Sequence, residues 1–141
     1  MSITLSHIGL VVGNAAEFAT LLGALGFEQI TRLEPDPIQK VKACFLAARE
    51  GKGPHIELLE PDGEDSPIAG FLAKRGGGLH HVCFEVDDID GAMRELAQKG
   101  FQPLSSPVKC IGYDRSFELE GTRIAFLMMP NKLLVELLQR G

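Results

Sequence analysis

The chain has no tryptophan and one tyrosine, and its three cysteines, Cys44, Cys83 and Cys110, are too widely spaced to form a CxxC pair. An odd, scattered set of this kind argues against a disulfide framework and fits a reducing compartment. Basic residues are not in excess. The formal charge is −5, so there is no positive field to attract nucleic acid or anionic lipid. No apolar run approaches the roughly 20 residues that a membrane-spanning helix needs. The opening "MSITLSH" lacks a basic stretch followed by an apolar one, so no secretory leader is expected. The expected setting is cytoplasmic, and the expected partner is a small molecule rather than nucleic acid or a membrane.

Hydrophobic residues make up 45% and charged residues 23% of the 141 positions, an ordinary globular balance for one compact domain or two small fused units. An internal repeat decides the organisation. A single shift of the chain against itself carries Leu5 onto Leu79, His7 onto His81, Val12 onto Val86, Asn14 onto Asp88, Leu22 onto Leu96, Gly26 onto Gly100 and Phe27 onto Phe101. Each copy opens with a short apolar strand, at 4–12 and 79–86. A helix N-cap follows, Asn14 or Asp88, whose side-chain oxygen can accept an orphan backbone N–H.

The helix of each copy carries apolar residues at helical spacing. They are Phe18, Leu21, Leu22 and Leu25 in the first copy, and Ile89, Ala92, Met93 and Leu96 in the second. Gly26 and Gly100 are the expected helix stops. Later, "ACFLAA" (43–48) matches "IAFLMM" (124–129), and "HIELLE" (55–60) matches "LVELLQ" (134–139). The expected fold class is therefore α+β, with two tandem βαβββ modules, 1–62 and 79–141. They are joined by a linker helix within 63–78, with Ser66 as its N-cap and Pro67 as its first residue.

Four ligand-capable side chains fall at repeat-equivalent places: His7 and His81 near the start of the first strand, and Glu57 and Glu136 within the last. Side chains alternate along a strand. His81, Cys83 and Glu85 therefore share one face, and the apolar Val82, Phe84 and Val86, facing the helix, share the other. Glu57 lies between Ile56 and Leu58, and Glu136 between Val135 and Leu137. A carboxylate in such a strand is costly to bury unless it is paired or bound to a metal. Taken singly, each residue reads as an ordinary strand or surface position. As a set in register, they point to one divalent cation, and the mixed nitrogen and oxygen donors suit Zn, Ni, Co, Mn or Fe. The adjacent His80 has Ser6 as its repeat counterpart and points to the opposite face from His81, a structural or rim position.

Three segments carry a family resemblance: "IELLEP" (56–61), "SPIAGFLAKRGGGLHHVCFEVDDID" (66–90), and "RIAFL" (123–127) with "LVELL" (134–138). The chain resembles the vicinal oxygen chelate superfamily over nearly its whole length, and within it the methylmalonyl-CoA epimerases. The resemblance implies a cup-shaped mixed sheet around one divalent metal held by His7, Glu57, His81 and Glu136. It also implies an isomerase that moves a proton through a metal-stabilised enolate of an acyl thioester, and a homodimer. Two departures stand out. Epimerases of this type often carry glutamine where this chain has Glu57. They also place a carboxylate base in the strand occupied here by "KVKACFL" (40–46), where the aligned residue is Ala43.

With no carboxylate at 43, the candidate proton carriers are Glu57 and Glu136. A ligand carboxylate that leaves the metal becomes a desolvated base. Tyr113 and Arg115, in "GYDRSFELEG" (112–121), are the candidate substrate-binding residues of a specificity loop, with Cys83 beside them as a small residue on the His81 face. The two-glutamate set also resembles glyoxalase I, a lactoylglutathione lyase. Readings from other classes are an extradiol-type dioxygenase and a non-catalytic antibiotic-binding protein, of which the latter generally lacks a complete ligand set.

Overall fold

The computed structural model describes residues 2–37, 39–109 and 122–141. The elements run β1 (Ile3–Val11), α1 (Ala15–Gly23), β2 (Phe27–Gln29), β3 (Glu34–Asp36), β4 (Val41–Ala48), β5 (His55–Pro61), α2 (Ala69–Arg75), β6 (Gly78–Val86), α3 (Ile89–Gln98), β7 (Gln102–Pro103), β8 (Val108–Lys109), β9 (Arg123–Met128) and β10 (Leu134–Gln139). The class is α+β. Two compact units arise: Ile8–His80, and His81–Gly141 together with Met1–His7. The short strands β3 and β8 were not foreshadowed by the repeat.

In the unit Ile8–His80, β2 and β3 both pair antiparallel with β4, and β4 pairs antiparallel with β5. Val12, Ala15, Leu22, Cys44, Leu46 and Leu58 form its buried core, with Phe18 packed against it. The alternation along β4 and β5 therefore sends Cys44, Leu46 and Leu58 towards α1. Ala43, Phe45 and Glu57 take the opposite face, where Phe45 and Glu57 stand in register. In the other unit β10 pairs parallel with β6 and antiparallel with β9, which makes its sheet mixed. Val86, Ile89, Ala92, Met93, Ala125, Leu127, Val135 and Leu137 are its core. Ile89 has no exposed surface, and burial of that size contributes about 1.5–3 kcal/mol.

Both module helices begin as the sequence predicts. Asn14 Oδ1 accepts from Glu17 N–H at 3.0 Å, and Asp88 Oδ1 accepts from Gly91 N–H at 3.0 Å. α3 ends at the expected place, with Gly100 at φ 99° just beyond its C-cap Lys99. α1 stops earlier than expected. Its last turn tightens through Leu25 N–H to Leu22 O and Gly26 N–H to Gly23 O, the 3₁₀ pattern by which many helices end. Leu21, beside the Ala15–Phe18–Leu22 face of α1, and Leu25, in the turn beyond the helix, lie outside the core, 59% and 74% exposed, against the expectation that both face inward.

The linker helix is also corrected. Ser66 caps nothing and Pro67 lies outside α2, because a separate turn, Ala69 N–H to Ser66 O, comes first and Ile68 takes the N-cap position. At the other end Gly76 caps α2 in the left-handed conformation, at φ 70°. Gly77, at φ 99°, is fixed as glycine by close packing, since a Cβ there would meet the Val11 carbonyl oxygen at 2.5 Å.

A second device serves both helices and was not legible beforehand. Ala15 N–H donates to Glu60 Oε2 at 2.8 Å, and Ile89 N–H donates to Gln139 Oε1 at 2.8 Å. In each module the last strand thus supplies a side chain to the first orphan N–H of the helix. The same strand turns its glutamate three residues earlier to the opposite face. Replacing Gln139 with alanine is expected to cost about 0.5–2 kcal/mol, read as a lowered midpoint in urea unfolding. An unchanged midpoint would show that the clamp carries no stability.

Candidate metal centre

β6 and the first half of β1 bring two imidazoles edge to face, with ring centroids 5.4 Å apart and planes at 88°. His7 Nε2 and His81 Nε2 are 3.3 Å apart. Each lies 3.4 Å from the same oxygen, Glu136 Oε1. Glu136 reaches this point because the parallel register sets it beside Cys83, two residues along from His81 on the same face of β6. His7 and His81 are buried, at 3% and 5% exposure.

The three atoms form a nearly equilateral triangle with edges of 3.3–3.4 Å. A point just above its centre lies about 2 Å from all three, which is the zinc–imidazole and zinc–carboxylate bond length. The chemistry of the donor set agrees. His7 Nδ1 lies 3.3 Å from Ser6 Oγ. With Nδ1–H donating there, Nε2 presents its lone pair to the centre. Lone pairs of two imidazoles and a carboxylate converging on one buried point repel unless a proton or a cation occupies it. The residues therefore fit a divalent ion.

In the absence of a metal, burial opposes ionisation of Glu136. Hydrogen bonds from His7 and His81 outweigh that opposition and hold the carboxyl far below its usual range. Cys83 has no exposed surface. Its sulfur belongs to a donor group with His7 and Glu136 whose ligand atoms all lie within 4.8 Å of one another.

The remaining candidates are described element by element. Glu57, 1% exposed, belongs to β5 of the unit Ile8–His80, on the face shared with Ala43 and Phe45. Ala43 is buried there at 1% exposure and offers only a methyl group. Tyr113 and Arg115 lie outside the described residues. His80 packs edge-on against Phe71, with centroids 5.6 Å apart, and Arg75 lies 5.0 Å above the same ring, a rim position as expected. The residue that sequence reasoning passed over is Ser6. It was weighed only as the counterpart of His80, although a hydroxyl next to a ligand histidine is a ready partner for its second nitrogen.

These features meet the pattern of a known family. Residues 6–118 match the family model of the glyoxalase/bleomycin resistance protein/dioxygenase superfamily, and the chain belongs to that superfamily. Among its relatives, the mitochondrial methylmalonyl-CoA epimerase of Homo sapiens is 40% identical over 110 residues, a match covering 74% of this chain and 58% of the human protein. The chain thus spans under two thirds of that relative's length. The ethylmalonyl-CoA/methylmalonyl-CoA epimerase of Cereibacter sphaeroides is 38% identical over 113 residues, covering 77% of this chain and 79% of that protein. A solved structure of Streptomyces coelicolor methylmalonyl-CoA epimerase, in complex with 2-nitronate-propionyl-CoA, superposes with a TM-score of 0.75 at 30% identity, covering 99% of each chain. Among the described residues no helix is long and apolar enough to cross a membrane.

The thiols of the two units differ in setting. Burial, followed by the negative charges of Glu57 and Glu60, pushes the Cys44 thiol up to about 11. Only the thiolate alkylates at a useful rate. Iodoacetamide at pH 8 is therefore expected to leave Cys44 unmodified in the native protein and to label it after unfolding, read by peptide mapping. Rapid native labelling would contradict the buried placement.

Proposed function

We propose that this protein is a divalent-metal-dependent epimerase that inverts the carbon next to the thioester carbonyl of a short dicarboxylic acyl-CoA. The observation that carries this reading is the convergence of His7, His81 and Glu136 on one point, in a chain 38–40% identical to methylmalonyl-CoA epimerases. A metal bound by these residues would act as a Lewis acid towards the thioester carbonyl and lower the cost of removing the neighbouring proton. The sequence repeat adds Glu57 as the fourth ligand of the proposal. Zn, Co, Ni, Mn and Fe all suit such a nitrogen and oxygen set.

The protein must then remove a proton from one face of that carbon and return one to the other. Glu136 and Glu57 are proposed as its proton carriers, because the buried Ala43 has no titratable group. Tyr113, Arg115 and Cys83 remain the proposed substrate contacts. The setting proposed is a reducing cytoplasm, supported by the odd, scattered cysteines. A homodimer is proposed as well, supported by the exposed Leu21 on α1 and Leu25 just beyond it.

A second reading has one observation behind it. Two histidines and one carboxylate are also the donor face of non-haem iron oxygenases, and oxygen uptake with catechols tests for it. For the main reading, the metal-loaded protein is expected to exchange the α-hydrogen of methylmalonyl-CoA with D₂O. Glu136→Gln is expected to lose this exchange by about a hundredfold or more, with metal content measured in parallel. Full exchange by a metal-loaded Glu136→Gln protein would remove Glu136 from the proton path. Absence of exchange in the metal-loaded wild type would overturn the epimerase reading.

A further inference from the structure

We infer that Phe126 is the wall that sets substrate choice at this centre: it faces the alkyl group on the reacting carbon and limits its size. The inference rests on the epimerase reading above and deepens it. Ala125 and Leu127, the neighbours of Phe126 on β9, belong to the core beneath α3, so alternation puts the Phe126 ring on the donor face of the sheet. Phe126 stands in register with Glu136, and Glu136 in turn with Cys83. The Phe126 N–H donates to Ser105 Oγ at 3.1 Å, and its carbonyl oxygen accepts from Leu104 N–H at 2.9 Å. Both backbone groups therefore turn away from β10. Phe126 and Glu136 form a non-hydrogen-bonded pair, in which facing Cα atoms lie only about 4.5 Å apart and side chains come closest.

Phe126 is only partly buried, so it keeps surface for a ligand held at Glu136. The next row along the same face is His81, Leu134 and Met128. The β9 and β10 residues nearest the donor triangle, Phe126, Leu134 and Met128, thus offer hydrocarbon and no hydrogen-bond donor. A malonyl-type substrate carries two unlike groups on its reacting carbon, an ionised carboxylate and an alkyl chain. On this flank the carboxylate would lose water and gain no partner, so the alkyl chain takes it. The proton leaves one face of the planar enolate and returns to the other, so the alkyl chain stays on the same flank for both epimers. Met128 is unbranched and adaptable, which leaves the rigid ring of Phe126 as the fixed limit. In a fitted apolar site one methylene changes kcat/KM by roughly 10–200-fold.

The test compares the metal-loaded full-length wild type with its Phe126→Ala, Phe126→Leu and Phe126→Trp variants on racemic methylmalonyl-, ethylmalonyl- and butylmalonyl-CoA. α-Hydrogen exchange with D₂O gives kcat and KM. Calorimetry on the racemates, which undergo no net turnover, gives Kd. The wild type is expected to lose about tenfold or more in kcat/KM from the methyl to the butyl thioester. Phe126→Ala is expected to remove most of that loss and Phe126→Trp to steepen it, with Kd moving in the same order. Metal content and circular dichroism are expected to stay at wild-type values. Should Phe126→Ala fail to fold, Phe126→Leu and Phe126→Trp must still move the butyl-to-methyl ratio in opposite directions. A ratio that no variant moves, even where all three thioesters slow equally, would overturn the wall assignment and leave the epimerase reading intact. So would a wild type that exchanges the butyl thioester as fast as the methyl one. Absence of exchange with every thioester in the wild type would overturn both.

Discussion

Three electron-pair donors that meet at one buried point set the terms for this molecule. His7 Nε2, His81 Nε2 and Glu136 Oε1 lie 3.3–3.4 Å apart. Here backbone pairing holds them, and burial raises the cost of leaving them unsatisfied. A divalent cation resolves the conflict, with three favourable bonds of ordinary length. A proton shared among the three resolves it only partly. The strained polarity of this point is the reason to read the protein as a metalloprotein.

The surrounding fold supplies the conditions. Strand alternation puts Val82, Phe84 and Val86 against α3 and leaves His81 and Cys83 for the opposite face. The parallel β6–β10 register then fixes which residue stands next to Cys83, and it is Glu136. The end of β10 is pinned by Gln139, whose side-chain oxygen takes the first N–H of α3. A slip of one residue in β10 would break that clamp and turn Glu136 towards the helix. Helix capping and the placement of Glu136 are therefore one constraint on the same strand, and on β5 Glu60 likewise caps α1 while Glu57 takes the opposite face.

Much of this was legible in the sequence because the repeat compares two solutions to one folding problem. Asn14 and Asp88 mark helix starts, and the apolar spacing at Ile89, Ala92, Met93 and Leu96 marks the buried face of α3. The same spacing misled for α1. Leu21 and Leu25 are apolar, but Leu21 sits beside the Ala15–Phe18–Leu22 face of the helix and Leu25 lies in the 3₁₀ turn beyond its end. Ser66-Pro67 is a good start signal that the chain uses for a turn instead. Glu60 and Gln139 went unseen because they differ chemically and act across the fold, and a backbone N–H as partner leaves no trace in a sequence. Ser6 was hidden by the histidine it supports. Tyr113 and Arg115, chosen on residue type alone, lie outside the described residues.

The most direct measurement of the central claim is metal stoichiometry. Wild-type and His81→Ala proteins would be purified without chelator or affinity tag, reconstituted with zinc or cobalt, and analysed by elemental mass spectrometry. The account predicts about one divalent ion per wild-type chain and little in the variant, with the fold of both intact by circular dichroism. A well-folded wild type that takes up no metal under any of these conditions would contradict it.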